Sequence, residues 1–503
     1  MSRMKRWTTR SLAVAVPPSA TFFSRLARNV ILSRLLVPDQ FGTAIAISVV
    51  LGLAGLVTDV GLDRFVMINM RPRALSAAHV LLIVRGALLA LALVGSAPLT
   101  ATLFGVPQFA GSFALAALAP LFGGFVHLGI IQSQRDYNYV SESVAQLVAN
   151  SAAIVAVFAG VMTMHDHRAI IAGFVTESLT YVILSHVLAK VPYRLRSDKQ
   201  TLRAALSFGL PLTVNGIGLA TISQLDRVIV GHWFGVRALG TYAVILNVAV
   251  VPVSLILRVF GTLGLSYLLS SRDVSPTNSK NYNLLVFAYS TLALLYSLWV
   301  VLTIDILTPF VFGAAFSVDP TVHALITILV FLRLQRGGAP TTALLKSGRT
   351  VELALLNFSA VLGLLCALTF VFLRPSFDSI VFGVVVGDFV VFILFFFVSS
   401  SARAARHRFA TTDFAIPLFA LALMTGTFLS MPEITWQARG IVLLAGTVGI
   451  AVHLAFGLRG AFVKQAVEKR SVSLMHSDSS QNAYYGSATP DESRTRGHNT
   501  SGD

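Results

Sequence analysis

Charge is what this chain lacks. Only 12% of its 503 residues are Asp, Glu, Lys or Arg, and 55% are hydrophobic. Soluble domains carry roughly a quarter charged residues, so the deficit excludes an ordinary water-soluble globule and points to a membrane protein. Cysteine is nearly missing too. Cys366 stands alone, which excludes an intrachain disulfide and a cysteine metal cluster. The sequence holds no Gly-x-x-x-x-Gly-Lys-Ser/Thr phosphate loop, no zinc-protease helix and no Gly-x-Ser-x-Gly elbow. ATP hydrolysis and the common hydrolase chemistries therefore have no carrier. His165, Asp166 and His167 sit together in one short connection, without the further ligands a metal site needs. No connection between apolar runs is long enough for a catalytic domain. The expectation is a protein that is not an enzyme, with no cofactor and no metal.

What is present is apolar sequence in long runs. A membrane-spanning helix needs roughly 20 mostly apolar residues. Fourteen runs qualify, at approximately 12–33, 41–61, 79–103, 112–132, 143–163, 169–189, 206–231, 240–268, 284–311, 322–345, 353–372, 379–399, 414–431 and 440–458. They predict an all-α integral membrane protein. The excess of positive charge tests the count. With the N-terminus inside, inner segments hold 24 Lys and Arg and outer loops hold 5. A wrong number of spans would scramble that alternation. Both termini are thus expected in the cytoplasm, and the net charge of +16 reads as topology rather than as a nucleic-acid surface.

The expected organisation follows. Residues 1–11 form a basic leader holding Arg3, Lys5, Arg6 and Arg10. A signal peptide is disfavoured there by the shortness of the apolar run before Pro17 and Pro18. Residues 12–200 form a first six-helix lobe, 201–400 a second, and 401–460 two additional helices. Residues 461–503 form a cytoplasmic tail whose Ser- and Asn-rich composition predicts disorder. A short internal repeat supports the two lobes. Phe41, Gly42 and Thr43 open the second span, and Leu239, Gly240 and Thr241 open the eighth, at an offset of 198 residues. An even number of spans per copy makes a parallel repeat, and in such transporters the substrate site lies between the halves.

Seven arginines fall inside the apolar runs: Arg25, Arg28, Arg85, Arg227, Arg258, Arg333 and Arg336. Each would cost about 2.5–3.5 kcal/mol at mid-bilayer, or on the order of 20 kcal/mol together if all faced lipid. A wet, cationic interior that receives an anionic substrate removes that cost. Arg333 and Arg336 share a helix face just before Gly337, Gly338 and Pro340, which should kink the span. Two guanidiniums on one face suit a phosphate-bearing group. Pairing with acids of neighbouring helices is the other reading. Arg25, Arg28 and Arg258 are further candidates, with snorkelling open for Arg25. Snorkelling accounts for Arg85, and a local ion pair with Asp226 or snorkelling for Arg227. Glu177 and Asp388 occupy similar places in the two halves. Either could couple transport to an ion or serve as an arginine's partner. Asp226 aligns with Arg28 across the repeat and is a candidate gate or counter-ion.

Several stretches together resemble one family. Arg34, Leu35, Leu36, Val37, Pro38, Asp39, Gln40, Phe41 and Gly42, followed by Thr58, Asp59, Val60, Gly61 and Leu62, resemble the opening of bacterial polysaccharide (Wzx-type) flippases. The run Asp226–Gly231 with Leu239–Tyr242, and the run Ala343–Arg349, are similar to that family's spans seven, eight and ten. The resemblance covers most of 20–400. It implies the multidrug/oligosaccharidyl-lipid/polysaccharide exporter superfamily: two pseudo-symmetric six-helix lobes around a central cavity, often with two C-terminal helices, working by alternating access. It also implies an undecaprenyl-pyrophosphate-linked oligosaccharide as substrate, turned across the bacterial inner membrane for surface or exported polysaccharide. A polysaccharide polymerase and chain-length machinery would be downstream partners, besides membrane lipid. In the lipid II flippase, arginines of spans one and eight bind pyrophosphate, and Arg25, Arg28 and Arg258 lie in the matching spans. The chain departs by its arginine-rich first span. The rival readings are an ion-coupled drug or cation antiporter of the same fold and a membrane-embedded polysaccharide polymerase or ligase.

Overall fold

The computed structural model describes residues 21–399 except 70, 137–138 and 270–279. The basic leader, the start of the first span, the spans expected at 414–431 and 440–458, and the tail lie outside the described residues. Within them the secondary structure is helical, with no strand. Nine helical stretches are long and apolar enough to cross a membrane, or ten if one bent pair counts as a span. The expected number of fourteen therefore rests partly on segments outside this range.

Helix α1 covers 21–35. Helix α2 (Pro38–Val57) begins with proline at its first position, where the missing N–H is harmless. The same device starts α4 (Pro72–Leu103) after the short α3 (Leu62–Ile68). The fourth expected span is not one straight helix. It is divided into α5 (Ala110–Leu115) and α6 (Leu118–Gly123), and turns by 56° before a short 3-10 segment at Leu128–Ile130. Gly124 lies at the turn, packed on Gly86 of α4, where a Cβ on either would press on the other's Cα. Helices α7 (Val140–Met164) and α8 (Arg168–Leu188) complete the first half.

Helix α9 (Lys199–Ile245) is capped by the Asp198 carboxylate on the Thr201 N–H. It contains span seven and the start of span eight, broken at Gly235, whose φ of 79° suits only glycine. The chain then passes through a π-helical segment, Leu246–Val250, into α10 (Val251–Leu269). Pro252 explains this bulge: it has no N–H to offer the carbonyl four residues back. The Tyr296 hydroxyl of α11 (Lys280–Phe312) donates to the neighbouring Ala249 O at 2.9 Å and lies 3.5 Å from Val248 O, the carbonyl that Pro252 leaves. The remaining helices are α12 (Pro320–Gly337), α13 (Ala339–Lys346), α14 (Thr350–Phe358), α15 (Val361–Leu373) and α16 (Phe377–Ser399). The break between α12 and α13 falls at Gly338, in the kink that Gly337, Gly338 and Pro340 foretell.

The two copies of the repeat meet. A Cβ on Gly240 would lie 3.3 Å from the Gly42 Cα, and one on Gly42 would collide with the Val236 carbonyl. Residues related by a two-fold axis touch each other only beside that axis. Helix α2 packs closely on α9 here, at the place where the expected two-lobe arrangement would put its join.

Candidate functional site: an arginine-lined cavity

A cavity of about 820 Å³ lies among α1, α2, α4, α6, α8, α9 and α10. Five arginines line it: Arg25, Arg28, Arg85, Arg227 and Arg258. Glu177 is the one carboxylate on its described wall, and Asn29, Ser48, Ser178, Gln224, Asn247 and Ser254 add neutral hydrogen-bonding groups.

Arg28 is the anchor. It is 1% exposed, its Nη1 donates to Glu177 Oε2 at 2.7 Å, and its guanidinium lies 5.1 Å from the centre of the Phe174 ring. Gly173 packs beside Arg28 and closely against α7, where a Cβ would collide with Val157 Cγ2. The Nε and Nη2 groups of Arg28 are buried without a hydrogen-bond partner among the described residues. A buried donor left unmet costs about 1–3 kcal/mol, so two on one residue call for an acceptor from outside. Arg25 lines the cavity one helical turn earlier. Arg258 reaches it from α10, beyond the π bulge.

Arg85 and Arg227 also face this space, which their local sequence did not suggest. Arg85 does not merely extend towards an interface. Its Nε donates to Thr58 Oγ1 and its Nη2 to Gly55 O, both at 3.3 Å, across the end of α2. Arg227 does not pair with the Asp226 side chain. Its Nη1 donates to Gln224 Oε1 at 2.9 Å, and its Nε has no partner among the described residues. Asp226 instead accepts from the Tyr242 hydroxyl at 2.9 Å and from the Arg227 N–H at 2.8 Å. Their membership of the arginine set was legible; only packing shows what they face.

Arg333 and Arg336 stand elsewhere. Both bind Asp388 of α16: Arg333 Nε on Oδ2 at 3.0 Å and Arg336 Nη1 on Oδ1 at 2.6 Å. The Asp388 side chain is only 8% exposed, and Arg336 also lies 5.9 Å from the centre of the Phe395 ring. Neither arginine lines the cavity. They do share a face, as their spacing requires, but that face meets an acid. The acids considered for coupling are likewise divided. Glu177 is at the cavity, whereas Asp226 and Asp388 do not line it.

The loop His165–His167 gathers no metal-binding set: no group of three or more His, Cys, Asp or Glu is placed for one among the described residues. His167 hydrogen-bonds Gln40 Oε1 at 2.6 Å and Ser112 Oγ at 2.7 Å, tying this loop to α2 and α5.

Helices bent around an internal cavity define a transporter-like architecture, and solved structures share it. The lipid II flippase MurJ, in an inward closed conformation, matches with a TM-score of 0.65 at 11% identity, over 90% of this chain and 99% of that one. A multidrug resistance MATE family transporter of the MOP superfamily, inward-facing, matches at 0.54 and 13% identity, over 80% and 99%. A Vibrio cholerae MATE transporter matches at 0.51 and 13% identity, over 82% and 98%. At such identities the likeness is one of fold. A search of curated proteins returns no match. The family model described as polysaccharide biosynthesis protein matches residues 31–319, and this chain belongs to that family. It is a multi-pass membrane protein.

Proposed function

We propose that the protein is a flippase that carries a lipid-pyrophosphate-linked oligosaccharide across the bacterial inner membrane for a surface or exported polysaccharide, with both termini in the cytoplasm. One observation carries this reading: a cavity inside a membrane-spanning bundle whose wall holds five arginines against one carboxylate, with buried guanidinium N–H groups still unmet. A planar guanidinium binds phosphate oxygens in pairs, and such contacts strengthen away from bulk water. Arg25, Arg28 and Arg258 hold the pyrophosphate. The neutral polar wall accommodates sugar hydroxyls, and the lipid tail stays in the bilayer. The fold shared with MurJ and the family match support the substrate class. A MATE-like drug antiporter would suit its cationic cargo with an acidic cavity, the reverse of what lines this one. The protein performs no bond chemistry; a polymerase acts on what it delivers.

Glu177, the carboxylate on the described cavity wall, is the proposed point at which this movement couples to an ion. A phosphate that takes over Arg28 Nη1 frees the Glu177 carboxylate from its one described ion pair. Arg333, Arg336, Asp226 and Asp388 act by holding the second half together.

The test replaces Arg25 and Arg258 singly by Ala in the producing cell. Polysaccharide export should fall by about 10- to 100-fold, the loss of roughly 1.5–3 kcal/mol per charged contact, while the protein stays in the membrane at normal level. Normal export by both variants would sink the proposal. So would efflux of cationic dyes that depends on the same arginines.

A further inference from the structure

Residues 189–198 form the strap that joins α8 to α9. The strap is not helical, yet it is pinned. His79 of α4 is 0% exposed. Its Nε2 accepts the Leu128 N–H at 3.1 Å, which leaves the proton on Nδ1, and Nδ1 donates to Arg194 O at 3.3 Å. His127 repeats the device. Its Nδ1 accepts the Gly129 N–H at 3.0 Å, and its Nε2 donates to Val191 O at 2.9 Å. The Tyr193 ring lies against the His79 ring, with 4.3 Å between centres. Two imidazoles thus fix the backbone of the strap from Val191 to Arg194.

This anchoring sets Arg194 and Arg196 beside the first turn of α4. With Pro72, Arg73, Ser76 and Leu195 they line a cavity of about 420 Å³. No carboxylate lines it among the described residues. Asp198 is near enough to act on Arg73, but its two oxygens already accept from the Thr201 N–H and hydroxyl, at 2.7 and 2.9 Å. One acid beside three arginines leaves the pocket positive. Depth then selects the ligand. Helix α4 has 32 residues, about 48 Å at 1.5 Å per residue, against about 30 Å of hydrocarbon. Its first turn therefore stands in the headgroup layer. Leu195 is 50% exposed between the two arginines of the strap, an apolar contact that suits a lipid better than an inorganic ion.

We infer that this pocket binds the phosphate of an anionic membrane phospholipid, in the leaflet on the side of the proposed cytoplasmic termini. Paired guanidinium N–H groups fit phosphate oxygens, and basic pockets between helices at the cytoplasmic surface lodge such headgroups. A bound headgroup bridges α4 and the strap, and so steadies the connection between the two halves of the chain. The pocket shares no lining residue with the larger arginine-lined cavity, and the inference makes no demand on the cargo.

The experiment uses the purified full chain in neutral detergent, read by native mass spectrometry and by amide hydrogen exchange. Phosphatidylglycerol and phosphatidylcholine of equal, short acyl length are offered as an equimolar pair. Phosphatidylglycerol should be retained at least about tenfold more, and should slow exchange at amides 191–196. The Arg73→Gln, Arg194→Gln, Arg196→Gln triple variant should bring the retention ratio close to one. The corresponding triple Lys variant keeps the charge that orients the chain, and should still lose at least about threefold of the preference with the paired geometry. Equal retention of the two lipids by the unaltered protein would overturn the inference. So would a full preference in either variant, the Lys result showing diffuse surface charge in place of a pocket. Exchange at 191–196 unchanged by phosphatidylglycerol would overturn the placement at the strap. Glycerol phosphate that competes as tightly as the lipid would make the ligand a soluble phosphate and overturn the lipid assignment.

Discussion

Five arginines of the cavity and two of α12 come from equally apolar sequence, yet the fold treats them in opposite ways. Around Asp388 two guanidiniums share one buried carboxylate, each on its own oxygen. In the cavity one carboxylate serves five guanidiniums, and the partners of Arg85 and Arg227 are an amide, a hydroxyl and a backbone carbonyl. The first set is closed and holds helices together. The second lines a cavity, and the proposed function gives it an anion to receive. The contrast teaches that a buried arginine announces function only when the surrounding acids are counted. Removing one partner from a closed set strands charge in the bilayer, whereas removing one from the open set relieves repulsion and harms only binding.

That difference can be broken experimentally. The largest effect is expected at Asp388. Asp388→Ala leaves two arginines of α12 without their acid and should lower stability by about 3–5 kcal/mol, seen as an earlier thermal unfolding in detergent. Replacing Arg333, Arg336 and Asp388 together by Leu should recover most of it, since well-packed apolar groups often equal a buried ion pair. If the triple variant also loses export while folding normally, α12 does more than hold the fold.

An intermediate effect distinguishes the sets without mutation. Inorganic pyrophosphate, at about a hundred times its dissociation constant, should stabilise the unaltered protein by about 2.7 kcal/mol. Arg25→Ala should abolish most of that thermal shift, and Arg333→Lys should leave it in place. A shift that survives Arg25→Ala and vanishes with Arg333→Lys would reverse the assignment of the two sets.

The smallest effect concerns the bend that carries Arg258. Tyr296→Phe removes the hydrogen bond to Ala249 O at the π bulge and should cost about 1 kcal/mol. Export should fall modestly, because Arg258 lies two turns beyond the bulge. Undiminished export with an equally stable protein would show that the bulge does not depend on Tyr296.

Much of the architecture was legible because hydropathy and helix breakers act locally. The kink between α12 and α13 follows from Gly337, Gly338 and Pro340, whereas the break inside α9 at Gly235 and the π bulge before α10 emerged only in the structure. The meeting of Gly42 with Gly240 was foreshadowed by the repeat itself. The fourth span was harder to read. Its apolar residues promise one helix, while the tight approach of Gly124 to Gly86 accompanies a turn that no window of sequence displays. In the site, Arg25, Arg28 and Arg258 were among the candidates and do line the cavity, but so do Arg85 and Arg227. Their neighbours in sequence, Asp226 above all, suggested local explanations. Asp226 turns to Tyr242 instead, a residue 16 positions away.

By itself the sequence determined that this is a helical, multi-pass membrane protein with arginines buried in its spans. Lack of charge and length of apolar runs are properties of each segment, and a bilayer reads segments one at a time. Only the tertiary structure decided which arginines face the cavity and which are neutralised. An arginine's role depends on whether a carboxylate from a distant helix lies within about 3 Å, and that distance is set by how helices far apart in sequence pack: Arg28 finds Glu177 and Arg333 finds Asp388, while the guanidiniums of Arg85 and Arg227 hydrogen-bond to neutral groups of α2 and α9.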